Sequence, residues 1–285
     1  MTTRLCPASV LSRPRRCVLA LLCLVILLLP CVALAQDPSG PNPAPPTDPT
    51  ARDTLFQVSL LDALMLGHYK GLVRIGQLKA HGNLGLGTLE GLDGELVLVD
   101  GVFYVIDVDG VVRLVDDEEF VPFAAVTWFE PEHPLILDEV TSLEDLNRQI
   151  IAALPDRNLF YALRLGPDFA WLKVRSVPRQ NKPYPPLAEA VKQQRVFEYD
   201  SPRGDIVGFY CPAWAKGVNL PGLHLHYISA DRQSGGHVLD LRAKRLAVTL
   251  DRTAGLFLVA PDDDPEFASL PLNGPSGASL KGVEK

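Results

Sequence analysis

Residues 222–241, GLHLHYISADRQSGGHVLDL, contain two runs of β-forming residues on either side of a turn. The first run is GLHLHYIS, and the second, HVLDL, follows ADRQSGG, whose Asp, Ser and Gly residues favour a turn. The stretch therefore predicts two strands that pair as a hairpin. Because alternate side chains of a strand point to the same face, we expect His224 and His226 to share a face and His237 to return beside them.

Three imidazoles that converge on one point can bind a catalytic metal ion and leave a fourth position for water or substrate. Zinc is one such ion, and copper, iron and nickel also accept imidazole ligands. The alternative is that the three are unrelated strand histidines, each satisfied by hydrogen bonds. Half of the chain's six histidines fall within this short stretch, which favours a metal site. The other histidines are isolated, and we expect them to be structural or surface residues: His68, His81 and His133.

Strand signals continue on both sides of the hairpin, whereas helical signals are few. Short runs of Val, Leu, Phe and Tyr are separated by Gly and Asp-Gly turns over residues 72–107 and again over residues 158–251. Helical spacing is found at residues 55–69, at residues 141–154 with Ser142 or Thr141 as the N-cap, and at residues 185–194. This pattern predicts an α+β fold of two domains, each built on mixed or antiparallel β-sheets with few helices. We expect an N-terminal α+β domain at residues 54–160 and a β-rich metal-binding domain at residues 161–285.

The first 35 residues have the layout of a secretory signal peptide. MTTRLCPASVLSRPRR contains four arginines and no acidic residue, and the apolar run after it ends in Ala33-Leu34-Ala35, a small-x-small cleavage site. An uncleaved membrane anchor is the alternative, because the run is nearly long enough to span a bilayer. Pro30 and the cleavage site favour removal of the signal.

Residues 36–53 are rich in proline and poor in apolar side chains, which predicts a disordered linker. No later segment of the sequence is long and apolar enough to span a membrane. We therefore expect an exported protein, periplasmic or secreted, with no membrane segment once the signal has been removed.

Removal of the signal also changes the cysteine count and the charge. Four of the five cysteines leave with it, and Cys211 alone cannot form an intrachain disulfide. The loss of four arginines changes the formal net charge from −7 to −11, since 23 rather than 27 basic residues then oppose 34 acidic ones. Nucleic-acid binding requires clustered Lys and Arg, so this acidic balance argues against a nucleic-acid partner.

Three charged residues are further candidates for chemistry. Glu95 lies in GLDGELVLVDG between two turns, and the residues alone favour a solvated carboxylate at a sheet edge. Arg175 lies in the apolar run FAWLKVRSV, where an inward-facing arginine needs an anionic partner and could equally form a structural ion pair. Glu284 is the next-to-last residue, and by position alone it belongs to a frayed tail.

Five blocks of this sequence resemble the alpha-acetolactate decarboxylase family. They are GLGTLEGLDGELVLVDGVFY, PFAAVTWFEP, LKVRSVPRQNKPYPPL, VGFYCPAWAKGVNLPGLHLHYISADRQSGGHVLDL and the closing VEK. The resemblance runs in order from about Leu55 to the C-terminus. It implies a two-domain α+β fold, a homodimer, and a zinc-dependent lyase that converts the small molecule 2-acetolactate to acetoin and CO2.

The resemblance also implies roles for individual residues. The three histidines of the hairpin match the family's zinc ligands, Glu95 matches an active-site carboxylate, and Arg175 matches the active-site arginine. Glu284 is the candidate for a glutamate that the family contributes from its C-terminal tail. The implied mechanism uses the metal ion as the electron sink for the enediolate and a glutamate, Glu95 or Glu284, to return a proton.

A different class of protein remains as an alternative, namely an exported cupin-like metal-binding module without decarboxylase activity. Cupins also contain a His-x-His pair, and LPGLHLH has a similar glycine and proline content. That family has a glutamate four or five residues beyond the pair, and Ala230 and Asp231 occupy those positions here. This difference weakens the cupin interpretation.

Overall fold

The computed structural model describes residues 43–272 of the chain. The predicted signal peptide with its four cysteines, the beginning of the predicted linker, and Glu284 lie outside these residues. In the part that is described, no helix has the length and apolar character needed to cross a membrane.

The described residues form sixteen strands and a few short helices. The strands are β1 (Thr54–Val58), β2 (Val73–Arg74), β3 (Leu84–Thr88), β4 (Glu95–Val99), β5 (Val102–Ile106), β6 (Val112–Leu114), β7 (Phe120–Val121), β8 (Phe123–Thr127), β9 (His133–Val140), β10 (Phe160–Gly166), β11 (Trp171–Ser176), β12 (Arg195–Asp200), β13 (Gly204–Cys211), β14 (Gly222–Ser229), β15 (Gly235–Thr253) and β16 (Gly255–Val259). The α-helices are α1 (Pro49–Arg52), α2 (Leu61–Met65), α3 (Ile75–Leu78), α4 (Leu143–Ala153), α5 (Leu187–Ala190) and α6 (Pro265–Ala268). Single turns of 3-10 helix lie at Lys79–His81, Val191–Gln193 and Ala213–Ala215.

The first large sheet has seven strands in the order β16-β1-β8-β3-β4-β5-β6. Only the β1–β16 pair of this sheet is parallel. The edge strand β16 comes from near the C-terminal end of the described chain, so its residues are distant in sequence from the other strands of this sheet. The two-stranded pair β2–β7 lies apart from it.

The second large sheet contains β10-β13-β14-β15-β11-β12, with β9 added beside β15. The long strand β15 pairs through its first half with β11 and β14, and through its second half with β9 and β10. Because β10 also pairs with β13, the strands β10, β13, β14 and β15 close on themselves. This closure surrounds a core of buried side chains that includes Leu163, Leu225 and Leu246, against which α4 packs.

The two large sheets pack face to face. One buried cluster combines Val97 and Ile106 of the first sheet with Val207 and Ile228 of the second. Burial of each such side chain contributes roughly 1.5–3 kcal/mol. The opposite face of the first sheet is also covered, by a cluster that includes Leu96 and Leu98. The central strands of this sheet are therefore buried on both faces.

The predicted fold class is confirmed, since the structure is mostly β-sheet with few helices. The helix predicted at residues 141–154 is present as α4, and its N-cap is Ser142, whose hydroxyl accepts a hydrogen bond from the backbone N–H of Asp145 at 3.1 Å. The short helix predicted at residues 185–194 is present as α5. The predicted division into two domains near residue 160 stays a prediction.

The helical prediction for residues 55–69 is wrong in its first half. Residues Thr54–Val58 form β1, between β8 and β16, and only Leu61–Met65 are helical. A strand buried on both faces is a continuous apolar run, which spacing alone does not distinguish from a buried helix. Within the predicted linker, Pro49–Arg52 form a helical turn that is capped by Asp48.

Candidate metal centre

The hairpin predicted at residues 222–241 is present as β14 and β15. The backbone N–H of Ser229 donates to the carbonyl of Ser234 at 2.8 Å and closes the turn. His226 and His237 lie directly opposite one another in the strand register. His224 precedes His226 by two positions on the same strand and therefore shares its face.

The three histidines form a compact triangle. The ring centroids of all three pairs are 5.2 Å apart, and one potential ligand atom from each residue lies within 4.8 Å of the others. All three side chains are buried. Equal separations of this size place three imidazole nitrogens around one point.

Backbone contacts orient His226 within the triangle. Its Nδ1 lies 2.8 Å from the carbonyl oxygen of Leu96 in β4, so Nδ1 carries the proton and donates it to that oxygen. Its Nε2 is therefore unprotonated and lies 3.2 Å from Nδ1 of His237, within the group of potential ligand atoms. A hydrogen bond that holds one ring nitrogen while the other faces a shared point is characteristic of metal-binding histidines.

The environment keeps the imidazoles of His226 and His237 neutral. Burial lowers the pKa of His226 well below its ordinary value, and the neighbouring His237 and Arg175 lower it further. Burial and Arg175 lower the pKa of His237 in the same way. Neutral imidazole is the form that binds a metal ion.

Glu95 and Arg175 face the same point as the histidines. Arg175 lies opposite His237 in the β11–β15 register, and Glu95 enters from β4 of the other sheet. The Oε2 atom of Glu95 is 3.5 Å from Nε2 of His226, and its Oε1 atom is 4.0 Å from Nη1 of Arg175. Glu95 is thus the anionic partner that an inward-facing Arg175 requires.

The structure corrects the interpretation of Glu95 as a solvated carboxylate at a sheet edge. Glu95 is only 8 % exposed. Its strand β4 is paired on both sides, with β3 and β5, and the face that carries Glu95, Val97 and Val99 packs against the second sheet. The residues next to Glu95 in the sequence do not indicate that a second sheet covers β4. The residues alone therefore suggested exposure.

Arg175 is 4 % exposed and only partly satisfied by its surroundings. Its Nε atom is buried and has no hydrogen-bond partner among the residues that the structure describes. A buried donor without a partner is costly, by about 1–3 kcal/mol, unless a ligand accepts its hydrogen bond. The guanidinium therefore fits a ligand that accepts hydrogen bonds, such as a carboxylate.

The cavity that these groups line is partly polar and partly apolar. Its volume is about 40 Å³, and Thr88 is a further polar residue of its lining. The apolar wall is formed by six apolar side chains from five segments of the chain: Leu61, Leu64, Leu92, Phe123, Val177 and Leu187. The sequence interpretation missed this wall and Thr88, because scattered apolar residues and a single threonine have no distinguishing pattern before the fold is known.

The residues present fit a metal ion. Three imidazole nitrogens around one point, with a carboxylate beside them, are donors that catalytic zinc sites use while a further position stays available to substrate. Among the described residues, this is the only group of three or more His, Cys, Asp or Glu residues with the spacing that a metal ion needs. The second proposed glutamate, Glu284, lies outside the described residues.

Comparison with known proteins identifies relatives over nearly the whole described chain. The family model described as alpha-acetolactate decarboxylase matches residues 55–274. The alpha-acetolactate decarboxylase of Methanosarcina mazei is 43% identical over 244 residues, which cover 86% of this chain and 84% of the relative. That of Bacillus subtilis is 39% identical over 223 residues, which cover 75% of this chain and 88% of the relative.

The fold has a similar counterpart among solved structures. The crystal structure of alpha-acetolactate decarboxylase from Bacillus subtilis strain 168 superimposes with a TM-score of 0.77 at 38% sequence identity. The superposition covers 81% of this chain and 99% of that chain.

Proposed function

The chain belongs to the alpha-acetolactate decarboxylase family, and we propose that it converts 2-acetolactate to acetoin and CO2 with the aid of a zinc ion held by His224, His226 and His237. The family's reaction is that of a carboxy-lyase. The observation that carries the proposal is the convergence of these histidines with Glu95 and Arg175 in one buried cavity.

Zinc is proposed because three imidazoles form a ligand set that catalytic zinc uses. When bound, the metal ion supplies a Lewis acid that draws electron density from oxygen atoms of the substrate. The protein prepares the ligands for this ion. The carbonyl of Leu96 fixes the tautomer and orientation of His226, and the β14–β15 register fixes His237 opposite to it.

Arg175 is proposed to bind and orient the substrate carboxylate. Its planar guanidinium can donate two parallel hydrogen bonds to a carboxylate, and its buried Nε is one of the available donors. Held in this way, the carbon–carbon bond that breaks would stay aligned with the neighbouring carbonyl group. Alignment of this kind lowers the barrier by removing unproductive orientations before the reaction begins.

Glu95 is proposed to handle the proton that replaces CO2. Its carboxyl group lies in the cavity, within 3.5 Å of Nε2 of His226. Once protonated from solvent, it could deliver that proton to one face of the substrate carbon as CO2 leaves, which would produce a single acetoin enantiomer and return Glu95 to the carboxylate form that pairs with Arg175. Glu284, in the tail, is the second candidate for this step.

The apolar wall is proposed to hold the two methyl groups of 2-acetolactate and to keep water away from the reacting carbon. Leu61 and Leu187 belong to this wall, and their helices α2 and α5 pack together in one apolar cluster. Exclusion of water strengthens the electrostatic contacts of Arg175 and Glu95 with the substrate.

We further propose that the chain is exported and acts as a homodimer. The proposed export rests on the arginine-rich start, apolar run and cleavage site of residues 1–35. The dimer is suggested by the family resemblance. N-terminal sequencing of protein from the native host, and light scattering of purified protein, would test the two proposals separately.

The test of the function is acetoin formation from racemic 2-acetolactate by purified residues 36–285. The rate should exceed spontaneous decarboxylation, fall to that background after chelator treatment, and return on addition of zinc. Chiral chromatography should show one acetoin enantiomer. Bound zinc with no acetoin above background would instead support the metal-binding module.

A further inference from the structure

Two buried hydrogen bonds connect the two large sheets beside the candidate active site. One joins Nδ1 of His226 to the carbonyl of Leu96. The other is donated by the hydroxyl of Ser176, in β11, to the carbonyl oxygen of Ile106, in β5, at 2.9 Å. The first belongs to the metal centre, whereas the second involves no residue assigned to binding or catalysis.

The position of the second bond links the two charged residues of the site. Ser176 follows Arg175 directly in β11, and Ile106 is the register partner of Glu95 in the β4–β5 pair. The Ser176–Ile106 hydrogen bond therefore joins the residue that follows Arg175 in β11 to the residue that pairs with Glu95 in β5. Both Ser176 and Ile106 are completely buried, so no water competes for the bond.

Close packing around Ile106 leaves little room for the Ser176–Ile106 hydrogen bond to shift. A Cβ atom added to Gly94, which has φ +81°, would collide with the same carbonyl oxygen that accepts from Ser176. A Cβ atom added to Gly235, which begins β15, would lie 2.9 Å from Cγ1 of Ile106. Gly94 thus leaves room at the accepting carbonyl within the first sheet, Gly235 allows the second sheet to approach Ile106, and the hydroxyl of Ser176 joins the two sheets at this carbonyl.

We propose that Ser176 is a positioning residue that holds Arg175 and Glu95 at the separation that decarboxylation requires. The inference rests on the proposed function, because that function is what gives the 4.0 Å Glu95–Arg175 contact its importance. Loss of the hydroxyl leaves the buried carbonyl of Ile106 without its cross-sheet donor and allows β11 to move relative to β4. A displacement of about 1 Å at reacting groups can reduce a rate by about 100-fold.

The experiment compares Ser176→Ala, Ser176→Thr and Thr127→Val with the unmodified protein. We expect Ser176→Ala to retain one zinc ion per chain and to lose about 10- to 100-fold in kcat/KM. Ser176→Thr keeps the donor on a side chain that strands accept, so it should restore most of the rate.

Thr127→Val is the matched control for the loss of a buried hydroxyl. Thr127 donates to the carbonyl of Thr54 at 3.0 Å and lies at the end of β8 opposite to Phe123, which lines the cavity. This variant should show a fall in Tm similar to that of Ser176→Ala, with kcat/KM unchanged. Equal kcat/KM losses in the two variants would overturn the proposal, because the effect would then be one of general stability.

A double-mutant cycle tests whether Ser176 acts through Glu95. In a Glu95→Gln background, Ser176→Ala should cause little further loss of kcat/KM, since the contact it serves has already been removed. The same loss as in the unmodified background would overturn the proposal. If Ser176→Ala does not fold, Ser176→Cys provides a side chain of similar volume with a weak donor, and its kcat/KM should be reduced.

The activity of the unmodified protein distinguishes a failure of the proposed decarboxylase function from a failure of the proposed role of Ser176. Acetoin formation by the unmodified chain, combined with unchanged kcat/KM in Ser176→Ala and Ser176→Cys, would overturn the role of Ser176 alone. Absence of acetoin from the unmodified, zinc-loaded chain would overturn the proposed function and this role with it.

Discussion

Replacement of Arg175 by lysine separates the charge of this residue from its shape. The side chain is buried, with Nη1 4.0 Å from Oε1 of Glu95 and with an Nε that no described residue satisfies. Lysine keeps a positive charge near Glu95, so the carboxylate is not left as an unpaired buried charge. It removes the planar fork, because an ammonium group cannot donate two parallel hydrogen bonds to a carboxylate.

The expected loss follows from the donors removed. One preorganised donor at a reacting group is worth about 100- to 1,000-fold in rate, or about 2.7–4 kcal/mol. Lysine still supplies charge, so we expect Arg175→Lys to lie near the lower end, with kcat/KM reduced about 100-fold. Zinc content should stay at one ion per chain, because none of the three histidines is changed.

The assay combines steady-state acetoin formation, metal analysis and thermal denaturation. Arg164→Lys is the matched control, because Arg164 makes the same kind of ion pair with Asp100 and Asp205 at the surface. Such pairs contribute about 0.2–1 kcal/mol, and the control should keep the wild-type kcat/KM. Wild-type kcat/KM in Arg175→Lys, with zinc bound and the fold intact, would remove Arg175 from the mechanism.

His226→Ala should lose zinc and activity together, because two imidazoles and water form a weak site, and stoichiometric zinc in the purified variant would contradict the ligand assignment. Gly94→Ala should reduce the free energy of unfolding by about 2–4 kcal/mol and lower kcat/KM, since a Cβ at φ +81° collides with the Ile106 carbonyl next to Glu95. An unchanged midpoint of denaturant unfolding would refute this prediction. Asp251→Asn should change the pH dependence of stability, because burial raises the pKa of Asp251 to about 7 in the folded protein, above its ordinary 3.8. The stabilising contribution of the protonated carboxyl is complete below about pH 4 and is lost as the pH rises through about 7, so the variant should gain about 2–3 kcal/mol relative to wild type between about pH 5 and pH 8. Parallel stability curves for the two proteins in urea titrations would contradict this assignment.

The arrangement of the three histidines could be predicted from the sequence because its signal is local. The two strands and the turn of residues 222–241 are contiguous, and the two-residue period of a strand places His224 and His226 on one face without any knowledge of the fold. The hairpin then returns His237 to the register position opposite His226. The helix α4 was predictable for the same reason, since its cap and its apolar spacing lie within one segment.

Features that depend on distant segments could not be predicted in this way. Glu95 is buried because the second sheet covers β4, and nothing in the residues around it indicates that cover. Family resemblance, rather than spacing, singled out Glu95 and Arg175. Ser176 had no signal at all, because its partner Ile106 is 70 positions away and its role depends on how the sheets meet.

Residues 55–69 are a different case, in which the local sequence pattern predicted the wrong structure for the first half of the segment. Their apolar spacing suits a helix, yet Thr54–Val58 is held in β1 by β8 on one side and β16 on the other. Pairing with β16 depends on residues 255–259, so tertiary contacts decide a segment whose local pattern is ambiguous.

The most direct test of the central claim is a titration of metal-free protein with zinc, in which acetoin formation from 2-acetolactate is measured at each addition. The account predicts a rate that rises in proportion to added zinc, reaches a plateau at one ion per chain, and stays at background in His226→Ala. Full activity in the metal-free protein, or one bound zinc ion per chain with no acetoin above background, would contradict it.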